Sequence, residues 1–374
     1  MKILVTGGAG FIGSFITDEL IEAGHDVKVY DNLVAQVHGE GRKAPDYLNK
    51  DAEFIRGNVL DEGKLYEAIK GVDVLFHLAA AVGVGQSMYE IKRYVEQNSL
   101  GSAALLEIIA NRKHGIRKMI VASSMSIYGE GKYDCRACGP VFPGLRSRDQ
   151  FEKGDWDVKC PRCGEPVKPV PTDETKPLNP TSVYAVTKRD QEESFLAVGR
   201  AYKIPVAALR YFNVYGPRQA LSNPYTGACA IFSSRILNGE RPVIFEDGLQ
   251  SRDFIHAKDV ARASVMVMER EALDYQVFNV GTGIPTTIIE VARTLAKQIK
   301  PEEEIQPEIR NSFREGDVRH CYADISKIRR MIAFKPSITF EAGIKDLTEW
   351  VSRQICEDRT PEAINELKEK GLVG

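Results

Sequence analysis

Tyr184 and Lys188, four positions apart in the run YAVTK, carry the strongest chemical signal in the chain. On a helix that spacing is about one turn, so a phenol and an ammonium share a face. The neighbouring cation is expected to lower the phenol's pKa from its usual value of about 10, and a phenol tuned in this way serves as a general base. The spacing alone does not choose this pair, since Tyr66 with Lys70 and Tyr128 with Lys132 repeat it. Context does. Only Tyr184 opens a polar helical segment, 184–201, that follows a proline loop and precedes the strand-like run VAALR at 206–210. Upstream lie a serine pair, Ser123 and Ser124, and an N-terminal glycine loop. Base, hydroxyl and glycine loop together describe a redox site.

The glycine loop is TGGAGFIG at 6–13, with Gly7, Gly10 and Gly13 placed after an apolar run and ahead of a helical pattern. Glycines there permit a tight turn and a close approach of backbone to a pyrophosphate. Phe11 and Ile12 begin the helix, whose free N–H groups and dipole hold the anion. Asp31 follows Gly13 by 18 residues at the end of the second apolar run, and Asn32 comes next. An acid in that place binds both ribose hydroxyls of NAD and repels the additional phosphate of NADP. NAD is therefore the expected cofactor.

These residues need a scaffold, and the first half of the chain supplies its pattern. Short apolar runs at 3–6, 27–30, 54–55, 72–76 and 118–122 alternate with amphipathic segments such as 15–22 and 102–111. Such alternation predicts an α/β fold, a doubly wound parallel sheet with helices on both faces, which 206–210 and 277–280 extend. The expected nucleotide-binding domain covers 1–212 and 251–281. A smaller α/β substrate lobe covers 213–250 and 282–374, and an inserted cysteine-bearing loop covers 131–172.

The balance of 50 basic and 52 acidic residues points away from nucleic acid and from an acidic solvating tail. The apolar stretch after Lys2 is too short for a secretory h-region, and no run reaches membrane-spanning length, so a cytoplasmic protein with no membrane partner is expected. Seven cysteines in such a chain are expected as thiols or metal ligands.

Beyond the two loops and the Tyr–Lys pair, the chain carries GNVLD at 57–61, HLAA at 77–80, SSMSIYG at 123–129, LRYFNVYGP at 209–217, RDFIH at 252–256, NVG at 279–281 and REGD at 314–317. In this order the motifs resemble the extended short-chain dehydrogenase/reductases of the NAD-dependent nucleotide-sugar epimerase/dehydratase family, over nearly the whole length. The resemblance implies Ser124 as the catalytic hydroxyl, Tyr184 as base and Lys188 on the nicotinamide ribose. It also implies Asn58 and Val59 beside the adenine, with Leu78, Ala79, Ala80 and Asn98 completing the cofactor site. Asn58 departs from the Asp common in the family. Asn213, Arg252 and Arg314 would hold a nucleotide-sugar diphosphate, for which an arginine fork is well shaped. Val84, Tyr225 and Phe245 would wall the sugar pocket.

Dehydratases of this family follow the catalytic hydroxyl with an Asp-Glu pair. Here Met125 and Ser126 stand there, which argues against water elimination and leaves epimerisation through transient oxidation by tightly held NAD. A C2-epimerase, a UDP-sugar 4-epimerase or a net reductase or dehydrogenase would use the same three catalytic residues. Family members often form homodimers through helices that correspond to 99–113 and 184–201.

Between Ser124 and Tyr184 the chain is longer than the family pattern requires and holds two CxxCG knuckles, Cys135 with Cys138 and Cys160 with Cys163. Four thiolates in paired knuckles suit a tetrahedral metal closed to substrate, zinc first and iron second. The insertion is thus either a stapled loop beside the site or an arm whose segment 143–148 reaches over the sugar. A remoter alternative makes the ribbon a redox-sensing or nucleic-acid-binding module, using Arg136, Arg146, Arg148 and Arg162. The ribbon, the NPYTG run at 223–227 and the ending ELKEKGLV at 366–373 resemble a subgroup of dTDP-L-rhamnose 4-epimerases.

Overall fold

In a computed structural model that describes residues 1–41 and 43–374, seven parallel strands form the central sheet. They are β1 (Lys2–Thr6), β2 (Asp26–Asp31), β3 (Glu53–Arg56), β4 (Val74–His77), β5 (Lys118–Ser124), β6 (Val206–Tyr211) and β7 (Gln276–Val280). Their order across the sheet is β3-β2-β1-β4-β5-β6-β7. The order reverses between β1 and β4, which opens a crevice at the carboxyl ends of those strands.

Both faces are covered, as a parallel sheet requires. One side carries α1 (Phe11–Glu22) and the helix Ala257–Met268, with Phe15, Ile16, Leu20, Val260 and Val267 in a shared core. The other carries α2 (Gly101–Asn111) and α3 (Val183–Tyr202), which bury Leu105, Ile109, Phe195 and Leu196. Ser182 caps α3 by accepting from the Ala185 N–H at 3.1 Å, which starts the helix one residue before Tyr184. At its other end Lys203 takes a left-handed turn. Inside the helix, Glu192 receives a two-pronged bond from Arg210 of β6, at 2.9 and 2.5 Å, and both side chains are buried.

The second lobe is smaller. Asn213–Tyr215, Ser251–His256, Pro285–Thr287 and His320–Cys321 form its sheet, and the helices Ala228–Leu237, Ile288–Ile299 and Phe340–Val351 pack a separate core around Leu295 and Leu347. Two expected boundaries shift. Strand Ser251–His256 pairs in this lobe's sheet, while its Ile255 packs into the core of the first unit, which the chain then follows with the helix at Ala257. Ile328, Ile332 and Phe334, placed in the substrate lobe by sequence, pack into the core of the nucleotide-binding unit.

The four-cysteine insertion folds as three antiparallel strands, Lys132–Cys135, Gly139–Val141 and Lys168–Val170, around Tyr133, Val141 and Val158. Among the described residues no helix is long and apolar enough to cross a membrane.

The Arg210–Glu192 pair gives a test of how α3 is held. Arg210→Met strands a buried carboxylate and is expected to cost about 3–5 kcal/mol in urea unfolding. The double variant Arg210→Met/Glu192→Met should recover most of that loss. Equal losses in the two would show that packing, not charge pairing, secures the helix.

Candidate active site

The glycine loop crosses the crevice with no room to spare. Gly7 has φ +71°, and a Cβ on it would lie 2.7 Å from the Ala79 nitrogen. A Cβ on Gly13 would lie 2.2 Å from the Gly7 carbonyl oxygen. No side chain caps α1 at Gly10, so its first turn presents bare N–H groups, as an anion site does. Asp31 is held in place by N–H donors from Ala9 at 3.1 Å and Leu33 at 2.9 Å. These loops open into one cavity of about 860 Å³.

Gly7, Gly10, Phe11, Ile12, Gly13, Asp31, Asn32, Asn58, Val59, Leu78, Ala79 and Ala80 all line that cavity. Ser124, Tyr184, Lys188, Val84, Asn213, Arg252 and Arg314, with Tyr225 and Phe245, line it as well. Asn98 does not. It sits in a π-helical turn, Val95–Leu100, where its amide accepts from Ala81 N at 2.7 Å and donates to Ala81 O at 3.1 Å and Thr187 Oγ1 at 2.9 Å. Its bonds fix the 79–81 loop against α3.

The Tyr–Lys electrostatics also differ from the sequence expectation. Burial pushes the Tyr184 phenol above its ordinary value, and the opposing influence is a hydrogen bond with Ser124. Lys188 is itself fully enclosed, which depresses its ammonium to about 7. Its Nζ donates to Gln191 Oε1 at 2.6 Å. Gln191 in turn donates to Ser102 Oγ at 2.8 Å, and Ser102 lies 3.1 Å from His77 Nε2. Four-residue spacing placed the lysine on the correct helix but could not report its desolvation.

Sequence reasoning left Ser126 outside the set, yet its hydroxyl and N–H reach Ser124 Oγ at 2.9 and 3.2 Å, and it lines the cavity. The signal was the two-residue spacing, a local side-chain turn. His38 was missed altogether. It lies 3.9 Å from Asp31 in a four-residue helix, where burial lowers its pKa.

The two arginines are partly committed. Arg252 donates to the carbonyls of Ser251, Val318 and Arg319, which fixes the 314–319 loop. Arg314 lies over the Phe245 ring at 4.8 Å and pairs with Asp317 at 2.8 Å. Asn213 Oδ1 and Gln250 Oε1 are buried without a protein partner among the described residues, and both residues line the cavity. Orphan polar atoms beside two arginines fit a polar, anionic ligand.

Segment 143–148 does not line the cavity. Arg146 is buried behind it, with both terminal nitrogens 2.9 Å from Glu246 and a further bond to the Asp317 carbonyl at 3.2 Å. Arg319 shares Glu246 at 2.9 Å and binds Asp247. The insertion thus braces the arginine-bearing loop from outside. Its four sulfurs lie within 4.8 Å of one another, and Cys135 and Cys163 are 3.6 Å apart. Tetrahedral zinc with bonds of about 2.3 Å needs sulfurs about 3.8 Å apart, so the cluster fits the ion.

Comparison with known proteins agrees with the geometry. The NAD dependent epimerase/dehydratase family profile matches residues 3–143, and the GDP-mannose 4,6 dehydratase profile matches 164–347. A dTDP-L-rhamnose 4-epimerase from Burkholderia thailandensis is 37% identical, with 95% of this chain and 96% of the relative aligned. The UDP-glucose 4-epimerase of Thermotoga maritima, solved with UDP-glucose, superimposes with a TM-score of 0.74 at 34% identity, covering 94% of this chain and 98% of that one. The UDP-glucuronic acid 4-epimerase of Bacillus cereus, solved with UDP-glucuronic acid and NAD, gives 0.75 at 27% identity over 94% and 99%.

The buried lysine sets a pH dependence. Its folded pKa of about 7 lies below its ordinary 10.5, so between those values the unfolded chain holds a proton that the folded chain lacks. Stability of the nucleotide-stripped protein is therefore expected to rise with pH across that window. Urea unfolding of wild type and Lys188→Met at several pH values checks this. A rise of equal slope in the variant would sink it.

Proposed function

The chain belongs to the NAD-dependent epimerase/dehydratase family, and from that premise we propose that it is a nucleotide-sugar 4-epimerase acting on dTDP-L-rhamnose. The carrying observation is the single cavity that joins Ser124, Tyr184 and Lys188 to the glycine loop at one end and to Arg252 and Arg314 at the other. The 37% identity to a dTDP-L-rhamnose 4-epimerase supports the sugar.

In this reading Tyr184 takes the proton from the C4 hydroxyl and returns it after the keto sugar has presented its other face. Ser124, held by Ser126, hydrogen-bonds the reacting oxygen. Lys188 binds the nicotinamide ribose, and Asp31 the adenosine ribose. NAD held by the glycine loop, Asp31 and Lys188 would supply the hydride acceptor and donor for the C4 carbon. Arg252, Arg314 and Asn213 hold the diphosphate while the sugar turns. Met125 lacks any group for proton transfer, which supports epimerisation over dehydration.

The same reading includes a structural zinc on Cys135, Cys138, Cys160 and Cys163, supported by the sulfur spacing. It includes a homodimer through α2 and α3, supported by exposed Ile91, Val95, Leu100 and Val186 on and beside those helices. The cytoplasm suits a chain whose cysteines form no disulfide among the described residues.

Purified protein without added cofactor, incubated with UDP-, dTDP-, GDP- and CDP-sugars and followed by NMR, tests the activity. A C4 epimer of dTDP-L-rhamnose is expected, and Tyr184→Phe should lower kcat by ~10²–10⁴-fold. Inversion only of a UDP-sugar would keep the chemistry and replace the substrate. No conversion even with NAD supplied would refute the epimerase reading.

Elemental analysis is expected to find zinc bound stoichiometrically in wild type and lost in Cys135→Ser/Cys160→Ser. Zinc-free wild type at full stability would refute the metal site.

A further inference from the structure

The C-terminal segment, which contains the ELKEKGLV run at 366–373, forms a wall of the cavity. The helix Thr360–Glu369 and the tail behind it place Ile364, Leu367 and Leu372 on its lining. Two anchorages hold the segment. Glu366 Oε2 receives the hydroxyls of Tyr89 and Tyr225, at 2.9 and 2.8 Å. The tail pairs with the arginine loop, through Glu315 N to Leu372 O at 2.9 Å and Phe313 N to Gly374 O at 3.0 Å. Leu372 N closes on Leu367 O at 2.8 Å, so the two leucines are neighbours.

Leu367 borders the 83–85 stretch of the lining, and Leu372 borders the 313–317 loop. A Cβ on Gly85 would lie 3.4 Å from a Leu367 methyl, and Gly85 adjoins Val84 on the lining. Nearby Gly83 closes on the Tyr94 hydroxyl, and the Tyr94 ring meets the Tyr184 ring edge-on at 6.4 Å. On the other side Thr181, three residues before Tyr184, donates to the Gly316 carbonyl at 3.0 Å, beside the loop that Leu372 pairs with. The helix's one carboxylate here, Glu366, is occupied by two tyrosines. Ile364, Leu367 and Leu372 offer no hydrogen-bond partner.

A hexose whose C4 is at Tyr184 has one neighbouring substituent that can end in carbon alone, the exocyclic C6. We infer that Leu367 and Leu372 are specificity-determining residues that receive a C6 methyl, so that the enzyme selects 6-deoxyhexose nucleotides over their 6-hydroxylated counterparts. A hydroxyl against these side chains would be desolvated without a partner. This inference rests on the 4-epimerase reading for the orientation of the sugar. An apolar wall rejects one added hydroxyl only modestly, by up to about 10²-fold.

The test is calorimetric titration of the NAD-loaded protein with dTDP-L-rhamnose and with dTDP-L-mannose, which differ only by the C6 hydroxyl, alongside NMR assay of both. Wild type is expected to bind the deoxy sugar ~10–100-fold more tightly. Leu372→Ser, in the part-exposed tail, and Leu367→Ser should narrow that ratio severalfold by weakening the deoxy sugar alone, with circular dichroism showing an intact fold. Equal affinity for the two sugars in wild type, or parallel weakening of both in Leu372→Ser, would overturn the inference. A preference in binding without any C4 inversion would uphold the wall and refute the epimerase reading. Inversion of both sugars without preference would do the reverse.

Discussion

A lysine shut away from water governs the architecture around it. Lys188 has no solvent to stabilise its charge, so its helix must bring partners, and Gln191, one turn on, is the first of them. Gln191 reaches Ser102 on α2, Ser102 meets His77 at the end of β4, and His77 lies 2.8 Å from Thr6 at the end of β1. A single polar chain therefore joins the helix that carries Tyr184 to both strands that flank the crevice. Unpaired polar groups at such depth are costly, so each member fixes the next. The register between the cofactor loop and Tyr184 follows from that chain more than from the helix's own propensity.

The second lobe solves a different problem. It must hold two arginines, Arg252 and Arg314, in fixed positions on the cavity lining. Arg252 is tied to three carbonyls and Arg314 to Asp317, which limits their freedom before any ligand arrives. Behind them Glu246, buried with a left-handed φ of 54°, collects Arg146 from the insertion and Arg319 from the loop. Preorganised donors lose less entropy on binding, and here the insertion contributes to that preorganisation without touching the cavity.

Much of this was legible in the residues. Alternating apolar runs and punctuating glycines announced the sheet, because both arise from local backbone and burial patterns. The cavity gathers every expected cofactor and substrate residue except Asn98. What sequence could not supply is direction and depth. Asn98 lies in a π-helical turn and bonds Ala81 instead of lining the cavity. The effect of Lys188 on Tyr184 was misjudged because spacing says nothing about desolvation. Arg146 pairs with a glutamate 100 positions away, and no periodicity encodes such a contact.

The insertion leaves the main fold and returns to it at nearly the same point. Lys132 N meets Thr172 Oγ1 at 3.0 Å, and Lys132 pairs in register with Val170. A loop whose two feet already touch adds almost nothing to the separation the surrounding chain must span, and the entropy of closing a long excursion grows only slowly with its length. Ser124 and Tyr184 can therefore stand 60 residues apart in the sequence and still face one cavity. The arrangement resembles a graft: the length of the module between these feet is free of the separation that Ser124 and Tyr184 must keep.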